Sequence, residues 1–382
     1  MRHVYCSLTP GVVHHRARQA LSGCLDWKPF GRSVAVAQLL DLLLLMAATT
    51  ASLFAVARRF FRFSHETARQ AIRDNLPDTQ RLVGGLVASL HDVLAFSRQD
   101  RRRHWLLGID THNKPYYGQR TPGVIGGPKK QGTKWSFGYA TAVLLHQRRR
   151  YTVGLCPLAP KMTLDHIVRT LLDQVAEQGL KIRGVALDSG FDSGEVIRLL
   201  QQRRLAYVVP LRRNGRPGGT RRRLFAGRHR LIRWTEWTTD RTRQPVRTRT
   251  VLWKGRRRTM LFAFGGWTGD RARSIHDEAM RQRRLYRRRF GIETSYRQKN
   301  QAEPTTTSKD PDYRLLLEGV AYLLRQVWVV LTGQIARSRH LQPGAWVGEL
   351  TFAILLHWLA HALERHYQES RSIPVDPYAY AQ

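Results

Sequence analysis

The sequence predicts an α/β protein, with a sheet-forming segment in the middle of the chain and helical regions on both sides. Two apolar runs that each end in an aspartate, residues 104–110 and 182–188, read as buried strands. Strand-like and helix-like segments alternate between residues 104 and 210, the pattern of a sheet covered by helices. On either side, residues 34–97 and 313–367 repeat their apolar positions at helical spacing.

Taken in order, residues 1–33 carry no usable period. Residues 52–60 and 63–72 read as helix, short turn, helix, with Ser64 capping the second helix. Ala68, Ala71 and Ile72 then face inward, while Arg69 and Arg73 face out as groove or phosphate contacts. This spacing over 34–97 suits a helix-turn-helix DNA-binding domain, and it also suits a plain helical bundle. Residues 74–78, with Pro77, end that helix; another runs over 79–96, and 98–103 form a basic linker.

From residue 104 the period changes. Strands over 104–110, 135–146 and 151–158 are followed by a helix over 165–178, a strand over 182–188, a helix over 193–202 and a strand over 206–210. This order fits a sheet of the ribonuclease-H type, in which acids at neighbouring strand ends converge. Residues 211–266 interrupt it with Arg alternating against Val, Thr, Leu and Trp, a β-rich insertion with one cationic face. The core so defined spans 104–330, and 331–382 form a C-terminal helical region that packs on the sheet or on another protomer.

Composition points to a polyanionic partner. The 382 residues carry a formal charge of +36, with 64 Lys and Arg against 28 Asp and Glu. Such an excess attracts DNA, RNA or an anionic membrane, and 42% hydrophobic content is too high for a disordered basic tail. Three scattered cysteines, Cys6, Cys24 and Cys156, form neither a disulfide scaffold nor a zinc knuckle, so a reducing cytoplasm is the expected setting. A membrane protein is not expected. The apolar run 34–57 is interrupted by Gln38 and Asp41, and the C-terminal runs by Glu318, Arg325 and Glu349. Residues 1–27 lack the uninterrupted apolar stretch of a secretory signal.

Residues 285–300 carry one carboxylate among many cations. At about 100° per residue a helix here lines up Tyr286, Arg289, Glu293, Arg297 and Asn300 as a polar stripe. The bland alternative is a solvated helix with an i,i+4 pair between Arg289 and Glu293. Gly291 inside it costs roughly 1 kcal/mol relative to Ala and is explained if another backbone approaches closely.

The pattern Tyr286-x-x-Arg289-x-x-x-Glu293 resembles the third-acid signature of DDE-type insertion-sequence transposases, marked by Tyr, Arg, Glu and Lys on one helix. The wording Arg289-Phe290-Gly291-Ile292-Glu293-Thr294-Ser295-Tyr296-Arg297-Gln298 is also similar to the halobacterial-element subgroup. The resemblance covers residues 104–330 and implies a ribonuclease-H-like catalytic core, with Glu293 as the final metal-binding acid. It also implies a β-insertion between the second and third acids. Asn300 occupies the place of the family lysine. Either Arg297 supplies that charge and Lys299 lies on the solvated surface, or the helix unwinds after Arg297 and Lys299 reaches a phosphate. Related enzymes hold a flipped base with an aromatic residue, for which Trp267 is the candidate here.

Asp110 and Asp188 are expected at adjacent strand ends, with Glu293 closing a site for two Mg²⁺ ions, or Mn²⁺; hard oxygen ligands suit these metals. Each aspartate alone also reads as a turn cap. Asp165, Asp192 and Glu195 lie near predicted helix starts and read as structural. The glycine-rich residues 123–134 lack the spacing of a nucleotide-phosphate loop, so no nucleotide cofactor is expected; as a flexible basic loop, Lys129 and Lys130 would hold substrate phosphates. His357 and His361 have zinc spacing, but Trp358 stands where a protease helix carries Glu.

The expected function is that of a transposase, which binds the double-stranded ends of its element, cuts them by metal-assisted phosphoryl transfer and joins them to target DNA. Synapsis of two ends implies a homodimer. The alternatives are a ribonuclease-H-like nuclease that does not join strands, and a non-enzymatic DNA-binding protein.

Overall fold

The computed structural model describes residues 7–213, 219–226, 232–239, 241–256, 258–267, 274–342, 344–345 and 347–367. Expectations for residues 1–6, for 368–382 and for the gaps within the insertion lie outside these, as does the side chain of Lys130. The chain begins with helices α1 (Pro10–Ser22), α2 (Val36–Thr49), α3 (Leu53–Phe60), α4 (His65–Asn75), α5 (Thr79–Leu94) and α6 (Arg98–Arg102). Next come β1 (His104–Pro115), β2 (Val124–Lys130), β3 (Thr133–His146), β4 (Arg149–Pro157), α7 (Leu164–Glu177), β5 (Lys181–Leu187), α8 (Gly194–Gln202) and β6 (Ala206–Leu211). Then follow α9 (Thr220–Ala226), β7 (Ile232–Thr238), β8 (Pro245–Lys254), β9 (Thr259–Gly265), α10 (Ile275–Arg287), α11 (Gly291–Lys299), α12 (Pro311–Ser338) and α13 (Phe352–Tyr367).

The chain divides into two compact units. One is helical, made of residues 1–89, 298–335 and 346–382; the other, residues 90–297 and 336–345, holds the sheet.

In the helical unit, α13 packs on α1 and α2. Thr9 caps α1 by accepting from Val12 N, and Pro10 takes the first turn, where its missing N–H costs nothing. This helix was missed in the sequence although both signals are present. Helix α2 is apolar all round and buried from Leu39 to Ala47. Its one acid, Asp41, is fully buried but satisfied: it receives Arg18 Nε at 2.9 Å, the Tyr367 hydroxyl at 2.7 Å and lies 2.8 Å from His14 Nε2. Helices α3 and α4 form the expected helix, turn, helix. Ser64 accepts from Thr67 N, Ala68, Ala71 and Ile72 are buried, and Arg69 and Arg73 are exposed. Helix α12 is long and apolar enough to cross a membrane, but 83% of its apolar window is buried within the protein, as a core helix is. Helices α2 and α3 meet the same test only as a pair bent by 117°.

The second unit is a mixed α/β layer structure around one nine-stranded sheet, in which the order is β2-β3-β1-β5-β6-β9-β8-β7 and β4 also pairs with β3. Strands β1, β5 and β6 are mutually parallel, whereas β3 is antiparallel to β1, β2 and β4. Side chains alternate across the pleat. Leu107 and Ile109 of β1 join one core with Val168 and Leu171 of α7 and with Val196 and Leu200 of α8. Gly108 and Asp110 therefore face the other side, where Ile292 of α11 lies against Gly108 so closely that a Cβ there would stand 2.6 Å from it.

The insertion carries three strands that extend the same sheet: β9 pairs antiparallel with β6 and carries β8 and β7 outward. The free edge of β6 gave those strands a ladder to join. One expectation changes. Residues 123–134 are not a flexible loop: β2 and β3 form a hairpin whose turn residues Gln131 and Gly132 have φ of 48° and 85°. Positive φ at both turn positions matches the twist of the flanking strands.

Candidate active site

Parallel pairing of β1 with β5 ends at Ile109 opposite Leu187, so Asp110 and Asp188 come next on neighbouring backbones; Asp188 closes β5 as expected, but Asp110 lies inside β1 rather than at its end, because β1 goes on pairing with β3 as far as Pro115. Asp110 is buried, and Thr111 N donates to it at 3.0 Å. Asp188 also caps the short 3-10 turn Ser189–Phe191 by accepting from Gly190 N. A turn-cap role and a place beside Asp110 are thus held by the same residue.

Above them the helical run is not uniform. Helix α10 passes into a 3-10 turn over Arg288–Phe290 before α11 begins. Arg289, buried on that turn, places Nη1 2.6 Å from Asp110 Oδ2 and Nη2 3.5 Å from Glu293 Oε1, so one planar guanidinium reaches two of the three acids. Burial pushes the Asp110 carboxyl up to about 6; Arg289 works against this, and the charges of Asp188 and Glu293 add to it. Burial lowers the Arg289 pKa, but Asp110 and Tyr286 outweigh it and hold the guanidinium charged.

Other contacts fix α11 on the sheet. The Tyr296 hydroxyl bonds Thr141 Oγ1 at 2.8 Å, and Thr141 is the ladder partner of Asp110. The Tyr296 ring also packs on His112, two residues beyond Asp110 on the same strand face, with centroids 4.5 Å apart. Gly291 is explained by a side chain rather than a backbone. A Cβ there would stand 2.6 Å from Arg150 Nε, and Arg150 donates to the carbonyl of Arg288, closing the 3-10 turn. None of these partners is near α11 in sequence, so no local pattern announces them.

The remaining sequence candidates separate. Glu293 and Arg297 are exposed on α11, while Tyr286 is buried between Phe262 and Phe290 and contributes ring packing. Lys299 is corrected outright. Helix α11 stays regular through it, and its ammonium lies fully buried in the helical unit, 2.6 and 2.7 Å from the two oxygens of Glu318. It is neither solvated nor open to a phosphate. Trp267 donates from Nε1 to Tyr207 O at 2.9 Å, and its ring fills the space beside Gly184, so it is a packing residue here. Lys129 is exposed on β2. Asp165 is held by Arg241 at 2.9 Å, Asp192 accepts from Arg212 N, and Glu195 accepts from Ser193 and Arg241 N, as their structural reading anticipated. Among the described residues no three His, Cys, Asp or Glu side chains already converge as a ligand set for a metal ion.

No protein-family model matches the chain, and no curated protein matches it. Among solved structures it is similar to a piggyBac transposase synaptic complex with hairpin DNA, determined by cryo-EM. The TM-score is 0.57 at 15% identity, and the match covers 96% of this chain and 82% of that one. The likeness is one of fold, and it extends over both units.

Proposed function

We propose that this chain is a DNA transposase of the DDE type, with a ribonuclease-H-like core whose acids are Asp110, Asp188 and Glu293. The observation that carries this is the ladder register: Ile109 opposite Leu187 sets Asp110 beside Asp188, and Arg289 ties Asp110 to the helix bearing Glu293. The transposase-like fold and the charge of +36 support it.

The donor set fits a hard divalent cation such as Mg²⁺ or Mn²⁺, since all three candidates are carboxylates and two emerge from adjacent backbones. Bound there, such ions supply charge stabilisation at a phosphodiester and a water of lowered pKa. The protein's own groups supply the rest. Asp110 and Asp188 are placed by the sheet, and Glu293 by a helix pinned through Tyr296 and Ile292. Arg289 neutralises Asp110, and with a cation on Asp110 its guanidinium fork would be available to a phosphate. Arg69 and Arg73 on α4 provide an exposed pair for recognition of the element ends, and a homodimer would bring two ends together.

The test is Mg²⁺-dependent nicking and strand joining on duplexes carrying the sequences that flank the reading frame. Asp110→Asn, Asp188→Asn and Glu293→Gln each abolish nicking while retaining DNA binding. Near-normal nicking by any one removes that residue from the site, and nicking without joining makes the chain a nuclease.

A further inference from the structure

The sheet does not stop at the row of candidate acids. Strand β4 ends at Pro157, opposite Tyr139, and β5 ends at Leu187. Beyond that row β4 runs on only to Pro157, β6 to Leu211, and β9 and β8 to Thr259 and Lys254, whereas β1, β3 and β2 reach furthest, paired as far as Pro115 with Ser136 and Lys130 with Thr133. From Thr141, the partner of Asp110, back to the turn at Thr133, β3 covers roughly 26 Å at the usual strand rise. The result is a three-stranded arm rooted at Asp110.

Its chemistry is one-sided. Between Asp110 and Asp165 the sequence contains no Asp or Glu. Arg120, Lys129 and Lys134 are exposed on the arm. The Arg120 guanidinium and the Lys134 ammonium lie 5.5 and 5.0 Å from the Trp135 ring, which holds two cations close together. Tyr117 is 72% exposed yet not loose, since its hydroxyl donates to Gln131 O at 3.0 Å at the turn. Like charges clustered without an acid repel one another, and a polyanion relieves that repulsion.

We propose that this arm is a DNA-binding ribbon that lies along the duplex beside the phosphodiester to be cut, with Arg120, Lys129 and Lys134 on phosphates and Tyr117 at the tip. Past Pro115 the tip is two-stranded, β2 with β3, the width of ribbon that the DNA major groove admits, and the whole arm spans about eight base pairs at 3.4 Å each. The inference rests on the proposed active site, because the arm is measured from Asp110.

Two experiments on the full chain test it, using a linear duplex of arbitrary sequence. The first compares the salt dependence of binding by the parent and by the triple variant Arg120→Ala, Lys129→Ala, Lys134→Ala. The slope of log affinity against log salt should fall by about 2–3 in magnitude, at roughly 0.9 per phosphate contact. The second replaces Tyr117 with a photo-crosslinking phenylalanine, which should capture the DNA. An unchanged slope, or capture of a second copy of the chain in place of DNA, overturns the proposal. If the parent nicks DNA and Tyr117 captures none, the arm is wrong and the active site stands. If Asp110→Asn nicks normally, the active site is wrong whatever the arm does.

Discussion

Tyr296 donates to or accepts from Thr141, the residue that pairs across the ladder with Asp110, so the helix bearing Glu293 is fastened to the strand beside its partner acid. Removing that bond lets α11 settle differently without changing any acid. Tyr296→Phe and Thr141→Val should each slow nicking by about tenfold, the equivalent of one buried hydrogen bond. The double variant should be no slower than either single one, because both remove the same bond. Multiplying effects, or no effect, in single-turnover assays would show that the bond does not set the geometry.

Arg289 and Asp110 are both buried and only 2.6 Å apart. Arg289→Ala leaves a buried carboxylate uncompensated and should destabilise the protein by about 3 kcal/mol. Adding Asp110→Asn should recover much of that loss, since the charge needing a partner is gone. Thermal unfolding of the four proteins measures the coupling, and a double variant no more stable than Arg289→Ala refutes it.

The raised carboxyl of Asp110 makes stability depend on pH. In the unfolded chain it titrates near the ordinary value of about 4, and in the fold near about 6. Its contribution to stability is complete below about pH 4 and falls away as pH rises through 6, because ionisation is disfavoured in the fold. Asp110→Asn should flatten the dependence of Tm on pH between 4 and 6; an unchanged slope would assign it to other groups.

Lys299 and Arg297, two residues apart, should behave oppositely. Lys299→Ala removes a buried ammonium that reaches both oxygens of the buried Glu318 carboxylate and should cost about 3–5 kcal/mol. Arg297→Ala, at an exposed position, should leave Tm nearly unchanged and slow nicking through a lost phosphate contact. Circular-dichroism melts together with nicking rates separate the two. A Lys299→Ala protein that melts like the parent would show that the Glu318 pair is dispensable.

What the sequence disclosed followed from how far apart the interacting groups are. The strands bearing Asp110 and Asp188 were legible because each aspartate closes a short apolar run, and Arg289 and Glu293 because a one-turn spacing is local. The burial of Lys299 is not legible because its partner Glu318 lies on another helix: helical phase indicates a direction but not what fills it. Gly126, Gly127 and Pro128 disfavour a strand, so the local sequence of β2 looks like a loop, and only pairing with β3 overrides that preference. The position of Trp267 before the glutamate helix says nothing of the β6 backbone that receives its Nε1–H, because that contact leaves no trace in the local sequence.

Gly291 and Arg150 occupy one space, since any side chain at 291 would displace the guanidinium that closes the turn before α11. The two positions are therefore not free to drift independently. A descendant that replaces Gly291 has to move the Arg150 side chain, shorten residue 150 or tilt the glutamate helix, so a smaller residue at 150 should be found more often where 291 carries a side chain.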